Sequence, residues 1–598
     1  MSNFSTVVVC DFEYEEVVGM LPRPLCMVAH ILDENLNHVR TIGLWRGEFG
    51  GAPPFATGPD TLFVCYAGAP AELACFLALG WDFPTYVFDQ WTAYLAATNI
   101  LRRRGDEKVR EKKSLEAACE AYGLEGWAGI NKDRIRTAIG EGRWQEYGKE
   151  AMLDYCEEDV RMSVLLLRAQ LRAHGRLAAA DAEKVIMWSN YSSKAVALIQ
   201  ARGVPLDVEL WGLIQENKIT IVRELLRRFD PSREDGDPIF NQSGEFSYAR
   251  FEAWLARNGV YAWPRKPSGE LSIQDDDFKL MAFVPGVSDI NALRKSLGFI
   301  LRTRMPIGAD GRNRCSLMPF CTATGRNAHS RSIFNAHAGM RSLIKFPRDE
   351  IGAYLDFRTQ EVGIAAALSG DEALRRDYEA GDIYYSLARM CGLTSDPDRL
   401  RWKAEHPDDR QRMKALLLGV NYGMRVRSLA RGLDRHPVIA SAIMEKHRLT
   451  YPRFWQWLAD TVQNAMLDRK IESVFGWPLR ISSSPNERTL YNYPMQSGGG
   501  DMLRIAACNL CDAGIIPVML VHDGILFEET DPEKIAHARE IMLHAGRKVC
   551  GLTIGVDIDK ELKNGARYVD KRESATKLWA TMMEVLRTVG AIPGELAS

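Results

Sequence analysis

Residues 518–528 read VMLVHDGILFE: four apolar residues, a His-Asp-Gly step, a second apolar run and a glutamate. A β-hairpin is the structure that pattern favours. Two runs of strand composition are separated by a pair of residues with room only for a tight turn, and Asp-Gly is a strong short-range turn signal. The carboxylate of Asp523 is then held rigidly at the edge of a sheet, facing outward, where phosphoryl transfer wants a divalent cation. Alone, the step is equally an ordinary Asp-Gly turn; two upstream elements in matching order give it chemical meaning.

The first is residues 353–361, AYLDFRTQE, an apolar strand delivering Asp356 at its end with Glu361 five residues on. A helical run follows to Leu368, broken at Ser369-Gly370-Asp371. Aspartates on two neighbouring strand ends can hold two Mg²⁺ ions about 3.5–4 Å apart, a clamp for the attacking and leaving oxygens of an in-line displacement. The plainer reading of a single such Asp is a helix cap. The second element is a helix over 410–423. Arg410, Lys414, Leu418 and Tyr422 are four apart throughout, so they form one slowly drifting stripe. Arg suits the forked phosphate contact, Lys acts as a point charge, and the apolar and aromatic groups can cover a base. Taken alone, the helix reads as an amphipathic surface helix.

Together these elements resemble the family A DNA polymerases, the DNA polymerase I type, and the resemblance covers nearly the whole chain. It implies that Asp356 and Asp523 are metal ligands, with a main-chain oxygen of Phe357 added. Glu361 matches the residue that blocks a ribose 2′-hydroxyl. Arg410, Lys414, Leu418, Tyr422 and Tyr384 fall in the dNTP-binding set. The run Thr322-Ala-Thr-Gly325-Arg326, then Asn335 and Arg341, resembles the template-primer contacts, and His522 belongs to the last palm motif. Arg488, Asn492 and Gln496 fit minor-groove contacts, where shared purine N3 and pyrimidine O2 acceptors report pair shape rather than sequence. Five positions depart from the family: Leu418 stands where an aromatic residue is usual, Tyr384 replaces a His, Gly524 replaces a Glu beside Asp523, and Thr359 and Gln360 replace the commoner order after Asp356. None removes the two-metal core.

In the N-terminal third, VVVCDFE at 7–13 is a strand carrying Asp-x-Glu. Alternation puts Asp11 and Glu13 on one face, suited to a hard cation. Tyr155 and Asp159, four apart in a helical pattern, share a face. This resembles a 3′–5′ exonuclease of the DEDD type with Tyr in the last motif. Asp11, Glu13 and Asp159 would hold metal, and Tyr155 would orient the attacking water. Lys113-Ser-Leu-Glu-Ala-Ala118 resembles the helix after the middle motif. Gly68 and Glu72 have the spacing of the family's Asn and Asp, with Phe88-Asp89 downstream, so Glu72 is expected as the fourth metal-binding acid. A decayed exonuclease kept as scaffold is the alternative.

The expected fold is α/β and α+β multidomain: an RNase H-like exonuclease domain followed by a right-hand polymerase of thumb, palm and fingers. The expected segments are 1–185 exonuclease-like, 186–310 thumb-like and helical, 311–370 first part of the palm, 371–484 fingers, and 485–598 second part of the palm with a C-terminal helix. Long helices are expected over 210–226 and 294–304. The 598 residues are 46% hydrophobic, enough for several cores, and the net charge of −2 does not advertise a nucleic-acid binder. Cationic surface must therefore be local, as at 102–104 with 112–113, at Arg223 with 227–228, at 294–295, and at Arg302 with Arg304. The twelve cysteines are scattered, and a lone Cys508-x-x-Cys511 is read as packing. The chain enters a strand at once and has no long apolar run, so neither leader nor membrane span is expected, nor a 5′-nuclease domain. The reading is a cytoplasmic, monomeric enzyme using Mg²⁺, two ions per active site with Mn²⁺ as a substitute, on primer-template DNA and dNTPs, with accessory replication proteins unspecified. The rival readings are a single-subunit RNA polymerase, a non-catalytic DNA-binding protein on a polymerase scaffold, and a nuclease alone.

Overall fold

The computed structural model describes residues 4–101, 114–124, 132–172, 182–233, 236–266, 268–282, 284–421, 423–433, 435–482 and 485–593. The basic residues at 102–104 and 112–113, and Tyr422, lie outside them; of Leu418 only the backbone is described.

The chain opens with a five-stranded sheet. Its strands are β1 (Thr6–Glu15), β2 (Arg23–Asp33), β3 (His38–Trp45), β4 (Thr61–Cys65) and β5 (Tyr86–Asp89), in the order β3-β2-β1-β4-β5. β1 pairs antiparallel with β2 and parallel with β4. A central strand is covered on both faces, so Val7 to Cys10 are all buried and alternation returns only at Asp11, Phe12 and Glu13. Between β4 and β5, helix α1 (Glu72–Leu79) begins on the acid singled out in the sequence. Asp89 ends β5 fully buried. It accepts from the amides of Ala67 (3.1 Å), Gly68 (3.3 Å) and Trp91 (2.9 Å) and from the Ser193 hydroxyl (2.7 Å). Its task is to cap the next helix and pin the loop that carries Glu72. After the short β6 (Ile100–Leu101), helix α2 (Gly148–Leu171) packs across β1 and β2.

The middle of the chain is helical, but the run expected over 210–226 is two helices, α3 (Val208–Glu216) and α4 (Lys218–Phe229). Asn217 separates them in a non-helical conformation, its side-chain amide donating back to the Leu213 carbonyl at 2.9 Å. That local bond competes with the helix ladder. α5 (Val287–Arg302) supplies the third long helix. The basic residues here are largely neutralised: Arg227 and Arg228 pair with Glu224 at 2.6 and 2.5 Å, Arg228 also with Glu584 at 2.7 Å, and Lys295 with Asp275 at 2.5 Å.

A second sheet follows. β7 (Ile351–Phe357) leads into α6 (Gln360–Ser369), which ends on Gly370 in the left-handed region, as the Ser-Gly-Asp break predicts. Helices α7 (Ile383–Met390) and α8 (Pro407–Asn421) come next, then the hairpin β8 (Lys470–Glu472) and β9 (Pro478–Ile481). Helix α9 (Glu487–Asp512), β10 (Met519–Val521), β11 (Gly524–Glu529), α10 (Pro532–Cys550), β12 (Val556–Leu562) and α11 (Glu573–Thr588) complete the chain. The sheet order is β10-β11-β7-β12, antiparallel throughout. α6 and α9 approach closely at Gly499, where a Cβ would overlap the Gln360 side chain. α11 buries Leu578, Met582 and Leu586 in the core of the middle helices.

The N-terminal unit is tied to the rest by main-chain bonds. β6 adds in parallel to β9, and the Asn99 amide donates to the carbonyls of Ala323 (3.0 Å) and Pro478 (2.8 Å). Among the described residues, no helix is long and apolar enough to cross a membrane.

Candidate active site: two acidic centres

The hairpin predicted at 518–528 forms with a two-residue turn: Val521 faces Gly524, and His522-Asp523 bridge them. His522 takes a left-handed φ of 57°. Asp356, near the end of β7, lies directly opposite Gly524 in the ladder, so adjacent strand ends deliver Asp356 and Asp523 together. The Phe357 amide donates to the Asp523 carbonyl at 3.2 Å, which fixes the turn against the strand. The two carboxyls are in hydrogen-bonding contact. Burial, then the neighbouring Asp523 and Asp559 charges, hold the Asp356 carboxyl well above the usual range, and Lys414 opposes the shift. Asp356 Oδ1 is buried with no partner among the described residues. Two acids forced together, one with an orphaned oxygen, fit a cation better than they fit each other.

Gly524 has a structural reason. The Tyr354 ring lies over it, its hydroxyl donating to the Val521 carbonyl at 3.3 Å, and a Cβ at 524 would overlap that hydroxyl. No side chain fits beside Asp523 on this strand while Tyr354 holds that position.

α8 carries the cations past this pair. Lys414 is exposed and close enough to act on Asp356. Arg410 meets Asp382 at 3.4 Å and lies 4.7 Å over the Tyr384 ring. Tyr384 is buried, its hydroxyl bonded to Thr359, so it serves as the platform on which the guanidinium rests. Glu361, in the first turn of α6, accepts from Arg326 at 2.9 Å, and Arg326 donates also to the Gln496 carbonyl at 3.2 Å. Gln496 Oε1 in turn accepts from Thr324 at 3.1 Å. Three of the residues expected to face DNA, Thr324, Arg326 and Gln496, are thus linked to one another and to Glu361. Arg488 is exposed at the start of α9, and Asn492 Oδ1 is buried without a partner among the described residues. Asn335 spends its side chain in a capping box with Ser332 and on the His329 carbonyl (3.2 Å). Arg341 pairs with Asp570 at 3.7 Å and stacks over Phe334. His522 is exposed on the turn.

Residues 308–570, which carry all of these groups, match the model of DNA polymerase family A. This segment is a family A DNA polymerase domain. The thermostable DNA polymerase I of Thermus aquaticus is 28% identical over 200 residues, covering 31% of this chain and 23% of that protein. DNA polymerase I of Mycobacterium leprae is 27% identical over 227 residues, 35% of this chain and 24% of the relative. The chain therefore aligns with about a quarter of the length of these curated relatives. The POL domain of Pol1 from M. smegmatis, in complex with DNA primer-template and dNTP, superposes with a TM-score of 0.65 at 16% identity, over 94% of this chain and 95% of that one. The mixed α/β polymerase fold thus extends beyond the polymerase domain into the N-terminal third.

There the second acidic centre lies outside the matched segment. Asp11 and Glu13 on β1 and Asp159 on α2 offer ligand atoms that all lie within 4.8 Å of one another, the only such group of three among the described residues. They line a cleft of about 590 Å³ with Glu72, Tyr155 and Arg136. The Tyr155 hydroxyl is held protonated by burial and by Glu13, Asp159 and Asp11. Glu72 is 1% exposed, and its Oε2 has no partner among the described residues. Burial first, then Asp11, push its carboxyl well above the usual range. Glu72 thus reaches the centre's wall without joining the tight group of three. Cys156, which no motif singles out, donates its thiol to the Asp11 main-chain oxygen at 3.3 Å. Two further residues went unforeseen in the polymerase domain: Tyr354, whose role depends on the missing side chain at 524, and Asp559, on an unsuspected edge strand.

Proposed function

We propose that the chain is a template-directed DNA polymerase that adds dNTPs to a primer 3′ end and trims mispaired ends with a 3′–5′ exonuclease in its N-terminal third. The observation that carries the first half is the contact of Asp356 with Asp523 beneath the cations of α8, within a family A polymerase domain. In this reading residues 1–185 are the exonuclease domain, 186–310 the thumb, 311–370 and 485–598 the palm, and 371–484 the fingers. The M. smegmatis domain was solved with primer-template and dNTP, and the same substrates suit the groups gathered here.

Divalent metal, Mg²⁺ by the chemistry of an all-oxygen donor set, would be held by Asp356 and Asp523 with the Phe357 carbonyl; it supplies an activated 3′-hydroxyl and charge neutralisation at the phosphates. Arg410 and Lys414 grip the triphosphate and oppose the negative charge that grows as pyrophosphate leaves. For Arg410 this means exchanging Asp382 for phosphate while keeping the Tyr384 platform. Glu361 stands where a ribose 2′-hydroxyl would press, and Arg326, Asn492 and Gln496 lie on the minor-groove side. In the N-terminal centre, Asp11, Glu13 and Asp159 would hold metal, with Glu72 behind them, and Tyr155 would orient the water that attacks the terminal phosphodiester. Primer extension on a paired and on a mismatched end tests both halves. Asp523→Ala abolishes extension and leaves 3′ degradation of single strands; Asp11→Ala does the reverse. Extension that persists in Asp523→Ala refutes the polymerase centre.

A further inference from the structure

Three neighbouring strands of the second sheet each end near one place. β11 and its turn bring Asp523, β7 brings Asp356, and β12 lies on the other side of β7. The pairing of β12 with β7 is irregular there. Phe357 faces Val556, Asp356 faces Asp557 and Leu355 faces Ile558, but Tyr354 faces Lys560. Asp559 is the extra residue of a β-bulge. Bulges re-aim a side chain, and they concentrate next to active sites.

The two acids of β12 have different fates. Asp557 lies directly across from Asp356, yet it is turned to Arg358, whose Nε donates at 2.9 Å. That pairing holds the Asp557 carboxyl below its usual range. Asp559 is exposed, no described residue donates a hydrogen bond to it, and its charge acts on Asp356, Lys560 and Tyr568. On the opposite flank of β7, position 524 is closed to any acid by Tyr354.

We propose that Asp559 is the third carboxylate of the polymerase centre, a positioning residue that strengthens metal binding at Asp356 and Asp523 by orienting a metal-bound water from the β12 side. The inference rests on the polymerase reading above. The buried, orphaned Oδ1 of Asp356 marks where a cation would sit. Asp559 does not belong to any set of three acids with ligand atoms within 4.8 Å, so its action is through water and charge rather than direct ligation. The bulge thus supplies from β12 what the hairpin strand has no room to hold. Outer carboxylates of this kind commonly change metal affinity about tenfold or more when removed, and a partly screened charge a few ångströms away changes it less.

The probe is Mn²⁺ alone, titrated into the full-length chain and followed by the loss of the free-ion paramagnetic resonance signal. The polymerase class of sites is the one missing in Asp523→Ala. Asp559→Asn weakens that class about five- to tenfold and raises by a similar factor the Mg²⁺ needed for half-maximal extension. Asp557→Asn leaves both unchanged, and Asp559→Glu stays within about twofold of the parent chain. The thermal midpoint is the same in all, since position 559 is exposed. Parental Mn²⁺ binding by Asp559→Asn overturns the inference, as does equal weakening by Asp557→Asn or by Asp559→Glu. If instead Asp523→Ala loses no class of sites and still extends primers, it is the polymerase reading that has failed.

Discussion

The two acidic centres are built by opposite means. In the N-terminal one, a strand gives two acids by alternation and a helix crossing it gives a third, and all three are half-exposed in a cleft that Arg136 also lines. In the polymerase domain, two strand ends force a pair of carboxyls into contact; Lys414 acts on Asp356, while Arg410 is paired with Asp382 and Arg326 with Glu361. The first centre is set by the alternation of one strand and by the helix that crosses it. The second depends on the shape of one turn and on what the neighbouring side chains leave vacant. Damage to packing should therefore hurt the second and spare the first.

The sharpest way to break that contrast is Gly524→Ala. The methyl group overlaps the Tyr354 hydroxyl, so either the ring or the turn must move, at a cost of about 1–3 kcal/mol. Misplacing a reacting group by about 1 Å can cost about a hundredfold in rate, and a loss of that size is expected in extension, with single-strand 3′ degradation unchanged. Measuring both activities on one preparation decides it. Equal losses in both would mean that the centres do not differ in this way.

A second test acts on the N-terminal centre through pH. The Glu72 carboxyl lies above its usual range because it is buried and faces Asp11. The folded state therefore binds its proton more tightly than the unfolded chain does. That contribution to stability is complete below the ordinary Glu value and is lost as pH rises towards the raised one. In EDTA, the thermal midpoint should fall from about pH 5 to about pH 8, and Glu72→Gln should flatten the fall. Added Mg²⁺ should restore the midpoint at the alkaline end in the parent chain and do less in the variant. A midpoint that rises with pH in EDTA, unaltered by Glu72→Gln, would remove the role given to this acid.

What the sequence disclosed follows from the range of the forces involved. Turn chemistry and period-two patterning are local, so the 518–528 hairpin, the Asp11/Glu13 face and the end of α6 at Gly370 were all legible. The Asp356–Asp523 pairing was legible through the family motifs that carry those residues. Three features were not. The Asn217 break turns on one side-chain bond back to Leu213, which competes with a helix that composition favours. The docking of β6 on β9 joins residues almost 400 apart, and two residues of strand leave no periodic trace. The bulge at Asp559 is a property of the pairing between two strands, invisible in either one. Asp89 is instructive in another way: the Phe-Asp pair was found where the family has it, but its work is to cap and to hold a loop.

The smallest expected effect concerns Glu361, an acid that stands apart from the Asp356–Asp523 pair. It is partly buried and ion-paired with Arg326 at 2.9 Å, which also holds the Gln496 carbonyl. Glu361→Gln keeps shape and removes charge. Because Arg326 retains its second partner, and pairs near the surface are worth little, the loss of stability should be about 1 kcal/mol or less. The activity readout is more telling. If Glu361 works by bulk against a 2′-hydroxyl, the glutamine variant keeps its preference for dNTPs over rNTPs, while Glu361→Ala loses it. If the charge matters instead, by holding Arg326 on the minor-groove side, both variants should weaken extension from a paired end by a similar factor, with sugar preference intact. Competition between dNTP and rNTP on one primed template separates the two. Either result shows whether this acid serves as a wall or as an anchor, the distinction that already divides Glu361 from the three acids of the N-terminal centre.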